Sequence, residues 1–503
     1  MNLAFISPRL AFQKGDFLGS GVPYWPLELV TLATYSREKG DKVTVIDQFG
    51  EDPTSLSDKG GYYLQGVAIN APNWWDALYH SSAFILYAIS YMSHLELLST
   101  IEWLKQKFPK TPIAVLENSQ AVTAYSLSQM AASFFASGAD YLICGEPYST
   151  WDTFRQYLKS AKFNANASPN IISREFPGQP VKRAEKLGRY PIPDWDLIKL
   201  DSYWRLPYSH GPKTPKFLPI LTSRGCPYPC DFCVVPETNN RRWIGNDPEQ
   251  VVQEIIELRD KFNVYDFQIE DLNPTVHHKR WERICELLIE RDANIRFYLV
   301  SGTKAETLHI DKIGLLASAG CRYISISPES GSYDLMKIIG KKFNQEHGIQ
   351  LIRECRKFGI RTQACFLVGH PREVDRDFLA SKAYLIDLVK AGLDEVAIFV
   401  VAPFAGSMLY SKSSILIEDK SALPSFSPKG RLDYFNLDIR RKQLIRTFFF
   451  EKLKKRGDLW MQGIRSVFGV PETKMENLPR RFIYVTWLLI RYRAQSFFLG
   501  RNV

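Results

Sequence analysis

The chain has 503 residues, of which 45% are hydrophobic, with eight cysteines and a formal net charge of +10. That length predicts two to four domains with ample material for buried cores, and lone cysteines scattered through apolar patterns exclude a disulfide scaffold. No uninterrupted apolar run approaches the 18 or so residues of a membrane span and no basic stretch precedes the first apolar run, so the expectation is a cytoplasmic protein.

Residues 1–165 read as an α/β domain. Strands fit Leu3 to Ile6, Lys42 to Ile46, Phe84 to Ser90, Pro112 to Leu116 and Tyr141 to Cys144. Helices fit Leu27 to Lys39, about 94–107 and about 126–137. Strand and helix alternating at this spacing predict a doubly wound, Rossmann-like parallel sheet, which binds ligands beyond the carboxyl ends of its strands. Residues 166–212 are rich in proline, glycine and charge, as at Pro177 to Pro180 and Pro191 to Asp196, and read as a linker on the surface of its neighbours.

Residues 213–425 contain six strand–helix units, with strands at 217–223, 264–271, 295–301, 322–328, 361–368 and 395–402. Helices between them carry apolar residues at helical spacing, such as Val251, Ile255 and Leu258. Six parallel units predict an open, partial (β/α)6 TIM-like barrel with its active site at the strand carboxyl ends. The loop after the first strand holds Cys226, Cys230 and Cys233, while the next cysteine is Cys285. The C-x₃-C-x₂-C spacing lets three thiolates converge on one inorganic centre. Iron–sulfur clusters usually take four cysteines, so three would leave one iron open. A zinc knuckle short of one ligand, or a disulfide with a spare thiol, are the other readings of the same residues.

With Phe232 in the aromatic position, this segment resembles the signature of radical S-adenosylmethionine (SAM) enzymes. The resemblance implies a [4Fe-4S] cluster on Cys226, Cys230 and Cys233, with SAM chelated at the open iron and cleaved to a 5′-deoxyadenosyl radical. Later strand ends are similar too. Glu270 and Asp271 follow the second strand. Glu329 and Ser330 follow the fourth, and there the resemblance implies a carboxylate on the SAM ribose or amino group. Gly369, in the segment running to Glu373, is implied near the adenine, and Pro403 to Ser407 close the sixth strand. Phe232, Glu329, Ser330 and Gly369 are therefore the expected SAM-binding residues. His277 and His278 fit helix caps, His370 is a candidate acid or base at a strand end, and Cys365 fits a core thiol.

Residues 1–165 resemble the cobalamin-binding domain of one large radical SAM subfamily, through Pro26 to Leu29, Val43 to Asp47 and Gly138 to Glu146. They depart from it in having no histidine before His80, in Ser90-Tyr91-Met92, in Pro147-Tyr148, and in Glu117-Asn118 where a glycine pair commonly admits the cobalamin tail. The resemblance implies a cobalamin-dependent methyltransferase acting on an unactivated carbon or phosphorus. A radical cyclase of the anaerobic porphyrin ester cyclase type is the alternative enzyme, and a non-catalytic cluster- or corrinoid-binding regulator is the alternative of another class. Methylthiotransferases are disfavoured because only Cys144 lies in the first domain. Implied partners are a small-molecule or lipid-like substrate and a reductant such as flavodoxin or ferredoxin.

Residues 426–503 form a basic helical region. From Lys429 onward there are 17 Lys or Arg against 6 Asp or Glu, while the rest of the chain is nearly neutral. Asp438 to Arg456 reads as amphipathic and Phe482 to Ile490 as nearly all apolar. Helices packed on the barrel are expected, with peripheral membrane contact as the second reading and nucleic acid disfavoured for want of a recognised module.

Overall fold

Short apolar runs alternating with amphipathic helices build two six-stranded sheets in the computed structural model, which describes residues 1–16, 20–160, 170–176, 190–412, 425, 428–454 and 456–499. The first half contributes β1 (Asn2–Ser7), β2 (Leu10–Gln13), β3 (Lys42–Asp47), β4 (Leu56–Asp58), β5 (Tyr62–Gln65), β6 (Ala83–Ala88), β7 (Ile113–Glu117), β8 (Tyr141–Ile143) and β9 (Ile171–Ser173). Its large sheet runs β3-β1-β6-β7-β8-β9, parallel except for β9. Both faces are covered. Leu3 and Phe5 pack with Leu29 and Leu32 on one side, and Ala4 and Ile6 pack with Leu97 and Ile101 on the other. Burial on both faces is what makes these strands read as continuous apolar runs.

Two features depart from expectation. β2, β5 and β4 form a small antiparallel sheet beside the large one, built from short segments with no strong alternation. The helix expected at 126–137 spans only Ala131–Ser137, ending at left-handed Gly138. Residues 118–130 instead form a long loop that reaches the second half of the chain.

That half contributes β10 (Leu218–Ile220), β11 (Ser223–Gly225), β12 (Trp243–Gly245), β13 (Asp266–Ile269), β14 (Arg296–Thr303), β15 (Cys321–Glu329), β16 (Arg361–Val368) and β17 (Glu395–Val400). β10 and β13 to β17 are parallel neighbours in chain order, and β17 does not pair with β10, so the barrel is open. The strand expected at 217–223 breaks after β10. β11 turns away to pair antiparallel with β12 and aims the cysteine loop across the mouth. Helix Pro248–Phe262 shows how the intervening helices are punctuated. Asp247 accepts from the backbone N–H groups of Glu249 and Gln250, proline occupies the first turn, and Asn263 ends the helix in the left-handed region.

The segment after the first domain is not a surface linker. Trp195 and Tyr203 are buried, and Trp25 stacks on Tyr203 at 4.4 Å while meeting Trp195 and Phe217 edge-on. The Tyr203 hydroxyl donates to Asp47 at 2.8 Å. These aromatic rings join the two sheets into one core; the Pro177 to Pro180 punctuation lies outside the described residues. Beside them Arg224, on β11, pairs with Glu28 at 2.8 Å, with both side chains almost fully buried.

The three tail helices are Tyr434–Leu453, Arg456–Phe468 and Leu478–Leu499. The first buries Leu444 and Phe448 in the barrel core. Its Lys452 donates to the carbonyl of Asp394, and Glu472 pairs with Arg361, both at the strand starts. Lys474 reaches the carbonyl of Val300 at 2.9 Å. The third helix continues to the first domain, where Arg491 donates to Thr54. The tail thus closes the floor of the barrel, as the packing expectation held. No described helix is long and apolar enough to cross a membrane.

Two substitutions test this packing by their shift in denaturant midpoint. Phe448→Ala should cost about 3–5 kcal/mol, whereas exposed Phe450→Ala should cost less than about 0.5 kcal/mol. Arg224→Met leaves Glu28 buried without its partner and should cost about 3–5 kcal/mol.

Candidate active site

The cysteine loop is held from three sides. Cys230 packs with Tyr228 and Phe232 on Leu335, Met336 and Ile339. Cys226 and Cys233 pack against Val234, Val235 and Leu272 of the barrel and against Ala121, Val122 and Ala124 of the first domain's long loop. The Asp231 N–H donates to the Ile339 carbonyl, and its carboxylate meets His370 Nε2 at 3.1 Å. At Gly340, left-handed with φ 80°, a Cβ would come within 2.9 Å of the Pro229 carbonyl, so this approach needs glycine. Gln120 of the first domain accepts from the Gly225 N–H at 2.9 Å and donates to Asn239 at 3.2 Å, while Asn239 donates to the Ser119 carbonyl. Both ends of the loop are therefore tied to the neighbouring domain.

Burial pushes the three thiols up, Cys230 to about 12; Cys226 adds to the rise at Cys230, and Cys226 and Cys230 both add to it at Cys233. Lys341 works in the opposite sense at Cys226 and Cys230. A bound cation would favour the thiolate forms that burial disfavours. The spacing bears on the identity of that cation. Tetrahedral zinc would place its sulfurs about 3.8 Å apart. Among the described residues the only three ligand atoms within 4.8 Å of one another belong to His278, Glu282 and His309, on the barrel's outer helices. The three sulfurs do not all lie within 4.8 Å of one another, wider than the spacing of a formed tetrahedral zinc site. All eight cysteines are free thiols, which removes the disulfide reading.

Glu329 ends β15 with φ 62°, a left-handed conformation uncommon for a non-glycine residue. Its carboxylate pairs with Lys341 at 2.7 Å, and Lys341 also donates to the Ser327 carbonyl. Burial raises the Glu329 carboxyl and Lys341 opposes the rise. Lys304 lies over the Tyr228 ring at 5.4 Å. Cys226, Cys230, Cys233, Phe232 and Glu329 therefore come together with two lysines that no motif marked.

Ser330 and Gly369 face elsewhere. The Ser330 hydroxyl bonds Ser381 at 2.8 Å and accepts from the Ser332 N–H, inside the turn that starts helix Tyr333–Ile339. Gly369 is left-handed, and a Cβ there would come within 2.5 Å of Leu437, so its requirement comes from the first tail helix. Asp271 holds the loop's approach by accepting from the Thr222 N–H and from the Thr222 and Ser223 hydroxyls. His277 caps its helix, as expected. Cys365 departs from the core-thiol expectation: it is half-buried among Ser325 and Gln363 on the polar side of β16, with its thiol pushed to about 11 by burial.

A group absent from the sequence reading stands in the gap between the domains. His210 Nδ1 meets Glu270 at 2.7 Å, and Tyr24 packs edge-on against the imidazole at 5.1 Å. These side chains, with Asn118, Gln120 and Ser301, line a cavity of about 40 Å³. Glu117 is folded back, accepting from the N–H groups of Leu127 and Gly145, and Asn118 donates to the Ile89 carbonyl. A cavity of about 840 Å³ elsewhere is lined by Glu51, Lys199, Tyr484 and neighbours and includes none of the cysteines.

Residues 220–385 match the radical SAM superfamily. The chain is 25% identical over 241 residues to cytidylyl-2-hydroxyethylphosphonate methyltransferase of Streptomyces wedmorensis, covering 46% of this chain and 44% of that one. It is 29% identical over 213 residues to the anaerobic magnesium-protoporphyrin IX monomethyl ester cyclase of Rubrivivax gelatinosus, covering 42% and 36%. The chain spans less than two thirds of the length of the curated relatives it matches, from about a third to three fifths for the first of them. Among solved structures, the cobalamin-dependent SAM radical enzyme OxsB with aqua-cobalamin bound superposes with a TM-score of 0.63 at 16% identity, over 99% of this chain and 81% of that one. Residues 220–385 thus match the radical SAM family model, and the chain as a whole shares its fold with OxsB.

Proposed function

We propose that this protein is a radical SAM methyltransferase that uses a [4Fe-4S] cluster, SAM and cobalamin to methylate an unactivated carbon or phosphorus of a small molecule. The observation that carries the reading is the convergence of Cys226, Cys230 and Cys233 beside Glu329 and Lys341 at the barrel mouth. The three thiolates hold the cluster, which supplies one electron to cleave SAM. Glu329 accepts hydrogen bonds from the ammonium or ribose of SAM, because charge-assisted bonds of that kind are the strong ones. Lys341 and Lys304 balance the negative charge of the sulfur ligands.

Cobalamin belongs in the gap between the first domain's strand ends and the barrel, where such sheets bind ligands. Glu117 is folded back on backbone amides away from that gap, which is lined by Asn118, Gln120 and His210. At about 40 Å³ the gap admits a corrin only when Tyr24 and His210 move apart, since pockets for molecules of that size measure hundreds of cubic ångströms. The Glu270–His210 pair stands in the same gap, positioned to orient a polar group of the substrate. Eight free thiols suit a reducing cytoplasm and an external reductant such as flavodoxin or ferredoxin. A radical cyclase is the second reading, favoured by the 29% identity to the porphyrin ester cyclase.

Anaerobic reconstitution followed by mass spectrometry of the SAM products separates these. S-adenosylhomocysteine with 5′-deoxyadenosine is expected, whereas 5′-deoxyadenosine alone would assign the cyclase type. Replacing all three loop cysteines with alanine should abolish the cluster's broad absorption and all SAM cleavage; a full complement of iron and sulfide in that variant would refute the ligand assignment. Reconstituted protein should also retain stoichiometric hydroxocobalamin after desalting, and no retained corrinoid would remove cobalamin from the reading.

A further inference from the structure

The tail helices bury one face in the protein and leave the other apolar. On helix Arg456–Phe468, Trp460 is 72% exposed and Phe468 87%, and Met461, Ile464 and Val467 are exposed with them. These five stand at i, i+1, i+4, i+7 and i+8, one stripe of an α-helix, while Gln462 and Ser466 are buried on the opposite side. Helix Leu478–Leu499 repeats the arrangement. Ile483, Trp487, Ile490 and Phe497 are exposed at intervals of four, three and seven residues, while Val485 and Leu488 are buried. A helix of a globular protein points such a stripe at its core, and two adjoining outward stripes mark an interaction surface.

The charges around the stripes are mostly positive. Arg446, Arg491 and Arg493 are exposed, while Lys442 and Lys454 pair with Asp438 and Glu451 on their own helix. The acidic residues of the last two helices and their connection are engaged in ion pairs: Asp458 with Arg356, Glu472 with Arg361, and Glu476 with Arg465. A basic, aromatic-rich apolar face with its acids neutralised is what anionic lipid headgroups attract. A second copy of the chain fits it less well, because an isologous dimer would set the same cationic patch against itself.

We propose that the outer faces of helices Arg456–Phe468 and Leu478–Leu499 dock on an anionic bilayer surface, with both helices lying in the interface. The apolar residues enter the headgroup boundary and Arg491 and Arg493 meet phosphates. No helix needs to cross, in keeping with the absence of a spanning helix among the described residues. The surface is separate from the cysteine site, so the proposal stands or falls apart from the reaction.

The test is sedimentation of cluster-loaded, full-length protein with phosphatidylcholine vesicles, with and without phosphatidylglycerol, at low and high salt. Binding to the anionic vesicles that weakens with salt is expected. Trp460→Ser combined with Phe468→Ser should lower partition about tenfold or more. Arg493→Glu should lower it on anionic vesicles alone. Iron content and thermal unfolding should be unchanged in both, since the replaced side chains are exposed. Equal binding to both vesicle types, or none to either, overturns the proposal. So does a dimer in sedimentation velocity that the Trp460 and Phe468 changes dissolve without any vesicle binding, which would assign the face to a second copy.

Discussion

The tie between Gln120 and the two ends of the cysteine loop is the constraint on which the rest of the site depends. Residues 225–239 contain little regular structure, and the three cysteines of this loop need their directions fixed from outside it. Apolar burial is non-directional and cannot by itself fix where three sulfurs point. Directed hydrogen bonds do so: Gln120 to Gly225 at one end, Gln120 and Ser119 to Asn239 at the other. The Arg224–Glu28 pair lies one residue further back and is buried on both sides. Charges so placed are costly unless both partners are present, so the pair ties the two domains to one arrangement. The first domain is therefore part of the cysteine-loop site whatever it binds at its own strand ends.

That dependence accounts for the long loop at 118–130. A glycine-rich turn after β7 would leave room for a ligand tail but offers no amide to reach the barrel. Here Glu117 and Asn118 lock the strand end, and Ala121, Val122 and Ala124 cover Cys226 and Cys233. The departures from the cobalamin-domain pattern thus have a structural use on the barrel side.

How much of this the chain reveals before folding follows the range of the interactions. Both sheets were legible because their strands are buried on two faces and their helices keep helical spacing, and the cysteine spacing carried the metal site. The small sheet β2-β5-β4 was not, because its segments lack alternation. Trp195 and Tyr203 were hidden in a proline-rich stretch whose composition says loop, yet whose aromatic rings find Trp25 some 170 residues away. Ser330 matched a motif position, but its hydroxyl is used by Ser381 from a distant helix. His210, Lys304 and Lys341 belong to no local pattern at all; their roles come from what the fold sets opposite them.

The tail shows the same limit from another side. Phe448 is buried and its neighbours Phe449 and Phe450 are exposed, so hydrophobicity alone does not say which face of the first tail helix meets the barrel. Nor does the excess of basic residues sit wholly on the surface. Lys452 and Lys474 are turned inward to donate to the carbonyls of Asp394 and Val300, and burial holds the Lys452 ammonium down to about 8. Lysine does this work because its long stem packs against apolar walls while one charged tip collects several acceptors. The carbonyl of Asp394 just before β17 and that of Val300 beside the register shift between β14 and β15 each gain a donor in this way. The tail's positive charge is therefore spent in two ways, on carbonyls within and on the outward face without, and only the fold decides which lysine or arginine goes where.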